Sequence, residues 1–171
     1  MIVEWSPTLG FMEPRQQPLR MYGHPAGHEP LAWAWVREQL ATAPTYWVVA
    51  RGPGHPHPRP VWGVWHDDVL YLSLGSPALL AAVGRDADVT VHLDSGTDVV
   101  IVEGTAGSDL ATPAAVVAAY DRKYTWSYDT GSYGQLTVVR PGTVLAWRTA
   151  GWAGRDSFVA SGRWRFASTA P

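Results

Sequence analysis

Apolar and polar positions alternate over several short stretches of the chain, and residues that favour turns separate these stretches. Residues 45–51 (TYWVVAR) are rich in β-branched and aromatic side chains, and residues 61–68 (VWGVWHDD) and 70–75 (LYLSLG) continue the same pattern. The segment 52–60 between the first two, GPGHPHPRP, contains proline, glycine and histidine and is expected to be a turn. Apolar runs bounded by turn residues are typical of antiparallel strands, so this region predicts a β-meander.

The second half of the chain contains further strand patterns. Residues 88–94 (DVTVHLD) alternate strictly between apolar and polar side chains, and residues 98–104 (DVVIVEG), which follow a Ser-Gly turn, are almost entirely apolar. Residues 136–148 (LTVVRPGTVLAWR) contain Pro141-Gly142, which predicts either two strands or one strand with a bulge. Together with residues 161–166 (SGRWRF), these patterns bring the predicted count to six or seven strands.

Three segments instead repeat their apolar residues at helical spacing, namely residues 29–44, 76–84 and 111–124. Pro30 is expected in the first turn of the first helix, where proline is tolerated. The predicted apolar faces are Leu31, Trp35, Val36 and Leu40 in the first helix; Leu79, Leu80 and Val83 in the second; and Val116, Tyr120 and Tyr124 in the third.

The ends of two of these helices have their own signals. Ser76 is expected to be the N-cap of the second helix, Pro77 its first residue and Gly84 its end. Thr112 and Pro113 are expected to cap the third helix. The second helix is therefore predicted to begin directly after a strand.

The length and the order of these elements limit the architecture. A chain of 171 residues is long enough for one well-packed domain. Residues 1–28 contain four prolines and no sustained periodicity, so we interpret them as an irregular N-terminal arm, and residues 29–171 as the domain. Short strands with three inserted helices lack the β-α-β alternation that a parallel sheet needs. We therefore predict a mainly β fold, a small antiparallel barrel of six strands.

Charge and composition exclude several classes of function. A formal net charge of -2 and a pI near 6.3 give no basic surface for nucleic acid or for an anionic membrane. The absence of cysteine excludes disulfides, a thiolate nucleophile and a cysteine-bound metal. The chain has neither a basic and apolar leader pattern nor an apolar run long enough to span a bilayer, so we expect a soluble cytoplasmic protein.

The chain contains ten tryptophans and a single lysine, Lys123. Most of these indole rings are expected to pack in the core, and some suit a pocket for a flat ligand. No phosphate-binding glycine loop, dinucleotide fingerprint or nucleophile elbow is present. His55 and His57 are two residues apart, but no third ligand follows at suitable spacing, so we predict no metal site.

The order and spacing of these elements resemble those of the pyridoxamine 5'-phosphate oxidase-like family, the split β-barrel proteins that bind flavin or deazaflavin. The resemblance covers residues 44–148 and Trp164 to Phe166, from TYWVVARGPGHPHPRPVWGVW through VVRPGTVLAW to RWRF. It points to the actinobacterial branch, which uses the deazaflavin coenzyme F420. It implies a Greek-key, six-stranded split barrel that forms a homodimer, with two equivalent cofactor sites at the subunit interface.

The resemblance also implies where the cofactor lies. Its tricycle is expected along the strand 60–62 and close to residues 73–75, while its phosphate meets the start of the following helix, where free N–H groups favour an anion. The implied cofactor-binding residues are Pro60, Val61, Trp62, Ser73, Gly75, Ser76, Ala78 and Leu79. Coenzyme F420 is the first expectation for the cofactor, FMN the second, and a chain without a cofactor the third.

The start of this helix departs from the pattern of the family, in which Ser-Arg-Lys-x-Arg-Asn-Leu supplies cations to the phosphate. The aligned residues 76–83 are SPALLAAV and contain no charge. Losing two charge-assisted contacts of about 1.5–3 kcal/mol each weakens phosphate binding about a hundredfold or more unless other cations compensate. Candidates are Arg85 at the far end of the helix and Arg163 or Arg165 of the partner subunit. Leu79→Lys is expected to restore one contact.

Two hypotheses of function follow from this resemblance. The first is a deazaflavin- or flavin-dependent reductase that transfers a hydride to a conjugated hydrophobic small molecule, with Tyr71, His92, Tyr124 or solvent as the proton donor. The second is a cofactor-free member of the same fold, which uses the groove at the interface to bind or transform an aromatic small molecule. The uncharged helix start and the abundance of tryptophan favour the second.

Overall fold

The computed structural model describes residues 14–21, 24–25, 29–107, 111–151 and 157–167. Within these residues the chain forms eleven strands and four helices. The strands are β1 Arg15–Gln17, β2 Arg20–Met21, β3 His24–Pro25, β4 Glu29–Pro30, β5 Tyr46–Arg51, β6 Pro56–His66, β7 Val69–Ser73, β8 Asp88–His92, β9 Asp98–Gly107, β10 Thr137–Thr149 and β11 Phe158–Arg165. The helices are α1 Trp33–Thr42, α2 Pro77–Arg85, α3 Ala114–Tyr124 and α4 Thr130–Tyr133.

Six strands close into an antiparallel barrel, which confirms the predicted fold class. Strands β10, β7, β6, β5, β8 and β9 are paired in this order, and β10 closes the ring because it pairs with β7 on one side and with β9 on the other. The register of β10 shifts between Pro141 and Thr143, so this segment is one strand with a bulge rather than two strands. The bulge bends β10, and the rest of the strand also pairs with β11.

The interior of the barrel is filled by the apolar side chains that alternate along these strands. Val89 and Val91 of β8 are buried as the alternation predicts, and Val100 and Val102 of β9 are fully buried. Trp164 of β11 is the largest fully buried side chain of the described residues and packs in the same core. Burying side chains of this kind contributes about 1.5–3 kcal/mol each, so the barrel is the main source of stability.

β6 begins earlier than predicted, because residues 56–60 form a strand and not a turn. Pro56, Pro58 and Pro60 occupy alternate positions of this strand, so their missing N–H groups all point to the same side. β7 pairs with β6 only from Trp62 onward, and that side of residues 56–60 has no neighbouring strand in the described sheet. Proline therefore fits here, since the residues between the prolines donate to β5.

α1 begins at Trp33, so the prediction that Pro30 lies in its first turn is wrong. Residues 29–30 form β4, a short strand parallel to β11, and the backbone N–H of Leu31 continues this pairing by donating to the carbonyl of Ser161 at 2.9 Å. The φ angle of proline suits an extended chain as well as a helix, and the pairing with β11 decides between them. The predicted burial of Val36 and Leu40 is confirmed.

α2 begins as predicted but has a different apolar face. Ser76 is its N-cap, and the Ser76 hydroxyl accepts a hydrogen bond from the N–H of Leu79 at 3.4 Å. Leu79 is fully buried, whereas Leu80 is 46% exposed, so its predicted inward position is wrong. Ala82, three residues after Leu79 and hence on the same face, is buried instead. Nor does Gly84 end the helix, which continues for one more residue.

α3 keeps its predicted apolar face, and Pro113 is its N-cap, but Thr112 does not cap it. Val116 and Tyr120 are buried and Tyr124 is partly buried. The hydroxyl of Thr112 makes no capping bond; it accepts a hydrogen bond from the N–H of Leu136 at 2.9 Å. Thr112 thus joins the segment before α3 to the segment before β10.

The described part of the N-terminal arm lies on the barrel. β1 pairs with β11 in an antiparallel ladder, and β2 pairs with β3 in a separate two-stranded sheet. None of the helices found in the described residues is long and apolar enough to cross a bilayer.

Candidate functional site

The adjoining parts of β6 and β7 and the start of α2 border an open groove of about 440 Å³, here called the β6–β7 groove. Trp62 and Ser73 face each other across the antiparallel β6–β7 ladder, so two residues 11 positions apart in sequence lie side by side. The groove is lined by Arg59, Pro60, Val61, Trp62, Ser73, Gly75, Ser76 and Tyr120. Its volume is within the range of about 300–1,000 Å³ that is typical of small-molecule sites.

Six of the eight residues that the resemblance implies for the cofactor line this groove. They are Pro60, Val61, Trp62, Ser73, Gly75 and Ser76. The other two lie in the first turn of α2: Ala78 is exposed to solvent, and Leu79 is fully buried in the core. The side chain of Leu79 therefore faces away from a ligand in the groove, and only its backbone N–H is on the side of Ser76.

The described residues form two other grooves, one of about 510 Å³ bordered by β5, β6, β8, β9 and β10, and one of about 490 Å³ bordered by β9, β10 and the end of β11. Their linings are mostly threonine, glycine and charged side chains, with Phe166 as the one aromatic residue of the two. They are slightly larger than the β6–β7 groove, but a flat conjugated ligand needs apolar ring faces. The β6–β7 groove, which has Trp62 and Tyr120, is therefore the better candidate site.

Trp62 is held in place by a stacked tyrosine. Its ring lies 4.7 Å from that of Tyr124 with an angle of 6° between the planes. The Tyr124 hydroxyl accepts a hydrogen bond from the N–H of Gly63 at 2.9 Å, and it lies 2.8 Å from the carbonyl of Gly63 and 3.0 Å from that of Pro44, to one of which it donates. Burial raises the pKa of Tyr124, against a smaller lowering by the Gly63 backbone. Trp62 thus stays fixed although 44% of its surface is exposed.

Ser73 and Tyr120 both line the groove. Burial raises the pKa of Tyr120 to about 12, and the Ser73 side chain opposes this rise only in part. Burial also raises the pKa of Tyr128, whose hydroxyl donates to the carbonyl of Gly134 at 3.2 Å. Tyr120 therefore keeps its proton at neutral pH.

Lys123, the single lysine, lies behind the stacked pair. Its amine donates to the Tyr46 hydroxyl at 3.0 Å and to the carbonyl of Gly63 at 2.9 Å, and it lies 4.6 Å from the centre of the Tyr46 ring. Among the ion pairs of the described residues none involves Lys123. Burial without a carboxylate lowers the pKa of Lys123 to about 8. The sequence had one signal of this role, namely that Lys123 is the only lysine.

Arg59 brings a cation to the groove. It lies on β6 opposite Val48 of β5, and its guanidinium donates to the carbonyl of Pro58 at 2.7 Å. The phosphate-binding cations expected from the sequence lie on α2 and in the partner subunit. Arg59 was not among them, because residues 52–60 were predicted to be a turn. The alternation of proline with His57 and Arg59 was the signal that could have identified a strand.

The other side chains considered from the sequence lie elsewhere. His92 stacks on Trp47, and Tyr71 packs beside the core formed by α3; neither lines the groove. Tyr124 lies behind Trp62. Arg85 lines none of the three grooves, and Arg165 lines the groove of about 490 Å³.

No group of three or more potential metal ligands of the His, Cys, Asp or Glu type is close together in the part of the chain that the structure describes. His57 lies on β6 opposite Ala50, and His55 precedes the strand. The Ser73, Tyr120 and Arg59 side chains supply hydroxyl and guanidinium groups rather than a metal-binding set. The groove therefore presents a guanidinium, hydroxyl groups and aromatic rings to a ligand.

No family model and no curated protein matches this chain. Solved structures do match it. A conserved hypothetical protein from Mycobacterium tuberculosis superposes with a TM-score of 0.57 at 19% identity, over 72% of this chain and 93% of that protein. A FAD-binding protein from Mesorhizobium loti gives a TM-score of 0.51 at 13% identity, over 78% of this chain and 94% of that protein.

A candidate pyridoxamine 5'-phosphate oxidase from Listeria innocua superposes with a TM-score of 0.50 at 16% identity, over 66% of this chain and 93% of that protein. At these identities the likeness establishes the fold. The chain has the split-barrel fold of pyridoxamine 5'-phosphate oxidase-like proteins.

Proposed function

We propose that the protein is an oxidoreductase that binds a phosphorylated flavin-type cofactor in the β6–β7 groove and reduces conjugated, hydrophobic small molecules. The observation that carries this proposal is the composition of the groove. It combines one guanidinium, from Arg59, and the hydroxyls of Ser73 and Ser76 with the rings of Trp62 and Tyr120. An anionic group and a flat ring system on the same ligand suit these two kinds of surface.

The phosphate fits the part of the groove between Arg59 and the start of α2. Ser76 caps the helix, and the first turn has no acidic residue that would repel an anion. The positive end of the helix dipole and the free N–H groups of the first turn favour an anion there. Arg59 provides one charge-assisted contact in place of the helix cations found in the family pattern.

The ring system fits the apolar side of the groove, along Pro60, Val61 and Trp62. Trp62 is held by Tyr124, so its ring is positioned without help from a ligand. When bound, a cofactor of this type supplies the hydride. The chain itself binds the substrate, excludes water and supplies a proton from the Tyr120 hydroxyl, which lines the groove and whose pKa is raised by burial.

Coenzyme F420 rather than FMN is the proposed cofactor, as the family resemblance implies, and we propose that the protein works as a homodimer. The homodimer also follows from the resemblance, and it would bring exposed arginines such as Arg165 of the partner subunit toward the phosphate. Sedimentation equilibrium of the full chain tests the dimer. A dimer at micromolar concentration is expected. A monomer would overturn the homodimer, and Arg59 would then be the one proposed cation for the phosphate.

A second function is favoured by one observation. The first turn of α2 contains no basic residue, which is what we expect of a chain that no longer binds the phosphate of a cofactor. Such a protein would bind an aromatic small molecule in the same groove.

Titration of F420 and FMN into the full chain distinguishes the two functions. The fluorescence of each cofactor is expected to change with a dissociation constant in the micromolar range, about 8 kcal/mol of binding free energy. Arg59→Gln is expected to weaken binding about tenfold, the equivalent of about 1.4 kcal/mol. Arg85→Gln removes the same charge at the far end of α2 and is expected to bind as the parent does. If neither F420 nor FMN binds up to about 1 mM, the proposed oxidoreductase function is wrong.

A further inference from the structure

Three exposed aromatic side chains meet next to the β6–β7 groove. Among the described residues, the large apolar side chains with the most exposed surface include Trp62 at 44%, Trp126 at 48% and Tyr133 at 58%. The ring of Trp126 lies 6.3 Å from that of Trp62 and 6.3 Å from that of Tyr133. Scattered exposed apolar residues need no explanation, but a contiguous set indicates a binding surface. We call these three residues the aromatic corner.

The aromatic corner is held in place by the chain around it. The backbone N–H of Trp126 donates to the carbonyl of Asp121 at 3.1 Å, and the N–H of Tyr128 donates to the Asp121 carboxylate at 2.7 Å. The Asp129 carboxylate accepts hydrogen bonds from the N–H of Gly131 at 3.0 Å and from the hydroxyl of Ser132 at 2.6 Å. The segment 125–135 is therefore an ordered wall, and the rings lose little freedom when a ligand binds.

The geometry of the corner suits a flat molecule. The planes of Trp62 and Trp126 meet at 75°, and those of Trp126 and Tyr133 at 53°. A planar ligand that stacks on one ring meets the next with its edge, which is the favoured arrangement of aromatic pairs. Trp62 also lines the β6–β7 groove, so a molecule in the corner lies beside a molecule in the groove.

The charges around the corner differ from those of the groove. The segment 125–135 contains one charged side chain, Asp129, and it is anchored to a second carboxylate, Asp121. The faces of the rings are electron-rich and attract cations, by about 0.5–1 kcal/mol at exposed sites. Arg59, by contrast, lies at the groove. The amine of Lys123, 5.3 Å from the centre of the Tyr124 ring, is partly buried and donates two hydrogen bonds within the chain. The corner thus favours a neutral or cationic molecule, and the groove an anionic one.

We propose that Trp62, Trp126 and Tyr133 form the substrate subsite, and that the substrate is a planar polycyclic conjugated molecule without negative charge. The claim that the bound molecule is the substrate rests on the proposed function, because the cofactor in the groove would deliver the hydride. The claim that the aromatic corner binds such a molecule does not depend on the proposed function. Binding to the corner is therefore measured first, with no cofactor added.

The probes are three planar molecules of different charge: N-methylphenazinium, a cation; menadione, neutral; and anthraquinone-2-sulfonate, an anion. Each is titrated into the full chain, and binding is followed by equilibrium dialysis. The cation and the neutral probe are expected to bind at least about tenfold more tightly than the anion, a difference of about 1.4 kcal/mol. Equal or tighter binding of the anion would overturn the proposed charge preference.

Variants locate the subsite. Trp126→Ala and Tyr133→Ala are expected to weaken binding of the cation and the neutral probe about tenfold each, because aromatic stacking contributes about 1–3 kcal/mol. Trp126→Phe keeps a ring and is expected to retain most of the affinity. Leu80→Ala removes a similarly exposed apolar side chain from α2 and serves as the matched control. If Trp126→Ala and Tyr133→Ala bind both probes as Leu80→Ala does, the subsite is wrong.

The cofactor titration separates this failure from failure of the proposed function. Trp126→Ala and Tyr133→Ala are expected to bind F420 or FMN as the parent chain does, because neither residue lines the groove. Loss of cofactor binding in these two variants would overturn the division into groove and corner. If the parent chain binds the aromatic probes at the corner but no cofactor, the oxidoreductase is wrong and the aromatic binding site remains.

Discussion

Trp62 and Tyr124 stack face to face across the junction of β6 and α3, with 4.7 Å between ring centres and 6° between planes. The two residues are 62 positions apart in a chain of 171. The Tyr124 hydroxyl hydrogen bonds to the backbone of Gly63, the residue after Trp62. The same short stretch of β6 therefore positions both rings of the stack. The stack joins the β6–β7 groove to the aromatic corner and keeps Trp62 available to both.

Removing the Tyr124 hydroxyl tests this anchoring. Tyr124→Phe leaves the N–H of buried Gly63 without its acceptor, so the free energy of unfolding is expected to fall by about 1–2 kcal/mol. Urea unfolding followed by circular dichroism measures the change. Tyr133→Phe removes a hydroxyl from an exposed tyrosine and is expected to change stability by less than about 0.5 kcal/mol. Equal losses in the two variants would contradict the anchoring role.

Gly63 itself is required by the close approach of β7. A Cβ atom at this position would lie 2.5 Å from the carbonyl oxygen of Tyr71 and from a methyl group of Leu72. Gly63→Ala is therefore expected to destabilise the fold by about 1–3 kcal/mol, the usual cost of overpacking.

Gly84 of α2 provides the matched comparison, because a Cβ atom there would meet nothing within 4 Å. Gly84→Ala is expected to stabilise by about 0.5–1 kcal/mol, since alanine loses less conformational freedom in a helix. Thermal unfolding of both variants checks the pair. A Gly63→Ala chain as stable as the parent would show that β6 and β7 are farther apart than described.

Lys123 predicts an unusual dependence of stability on pH. Burial lowers its pKa from 10.5 to about 8, so between about pH 8 and pH 10 the unfolded chain holds a proton that the folded chain has released. The free energy of unfolding is therefore expected to rise with pH over this window. Above about pH 10 it is expected to fall, because burial raises the pKa of Tyr120 and Tyr124 and the unfolded chain ionises first.

Thermal unfolding between pH 7 and pH 10 measures the effect of Lys123. Because the amine keeps part of its surface in water, we expect about 1 kcal/mol, or a rise of about 2–4 °C in the midpoint for a chain of this size. Lys123→Met cannot release this proton and is expected to show no such rise. A parent chain whose stability is flat or falls between pH 8 and pH 10 would contradict the buried, unpaired amine.

The effect of introducing a lysine at the start of α2 depends on which residue is replaced. The sequence suggested Leu79→Lys, but Leu79 is fully buried, so a charge there is expected to destabilise the fold by at least about 3 kcal/mol. Ala78 is exposed in the same turn. Ala78→Lys is expected to tighten FMN binding about tenfold, the equivalent of about 1.4 kcal/mol. An unchanged dissociation constant would mean that the phosphate does not lie at this helix start.

Local sequence patterns predicted the presence of strands and helices better than they predicted the buried face of a helix or the residue at which an element begins. The alternation in residues 88–94 and the start of α2, with Ser76 as N-cap and Pro77 as first residue, were predicted correctly, because each depends on neighbours within a few residues. Leu80 and Pro30 were placed wrongly, since the apolar face of α2 and the pairing of β4 with β11 depend on distant elements. The same limit explains why Arg59 was missed: three prolines suggest a turn unless the strand beside them is known.

The sequence by itself determined the central parts of strands β5 to β11 and of helices α1 to α3, and that they form a small antiparallel barrel, because alternation, helical spacing and turn residues act over short distances. Only the tertiary structure decided that β10 closes the barrel, that Arg59 and Tyr120 meet at one groove, and that Lys123 is partly buried and forms no ion pair with any carboxylate of the described residues. These relationships depend on the register of paired strands and on helices packed against them. Both are set by long-range contacts that no local pattern contains.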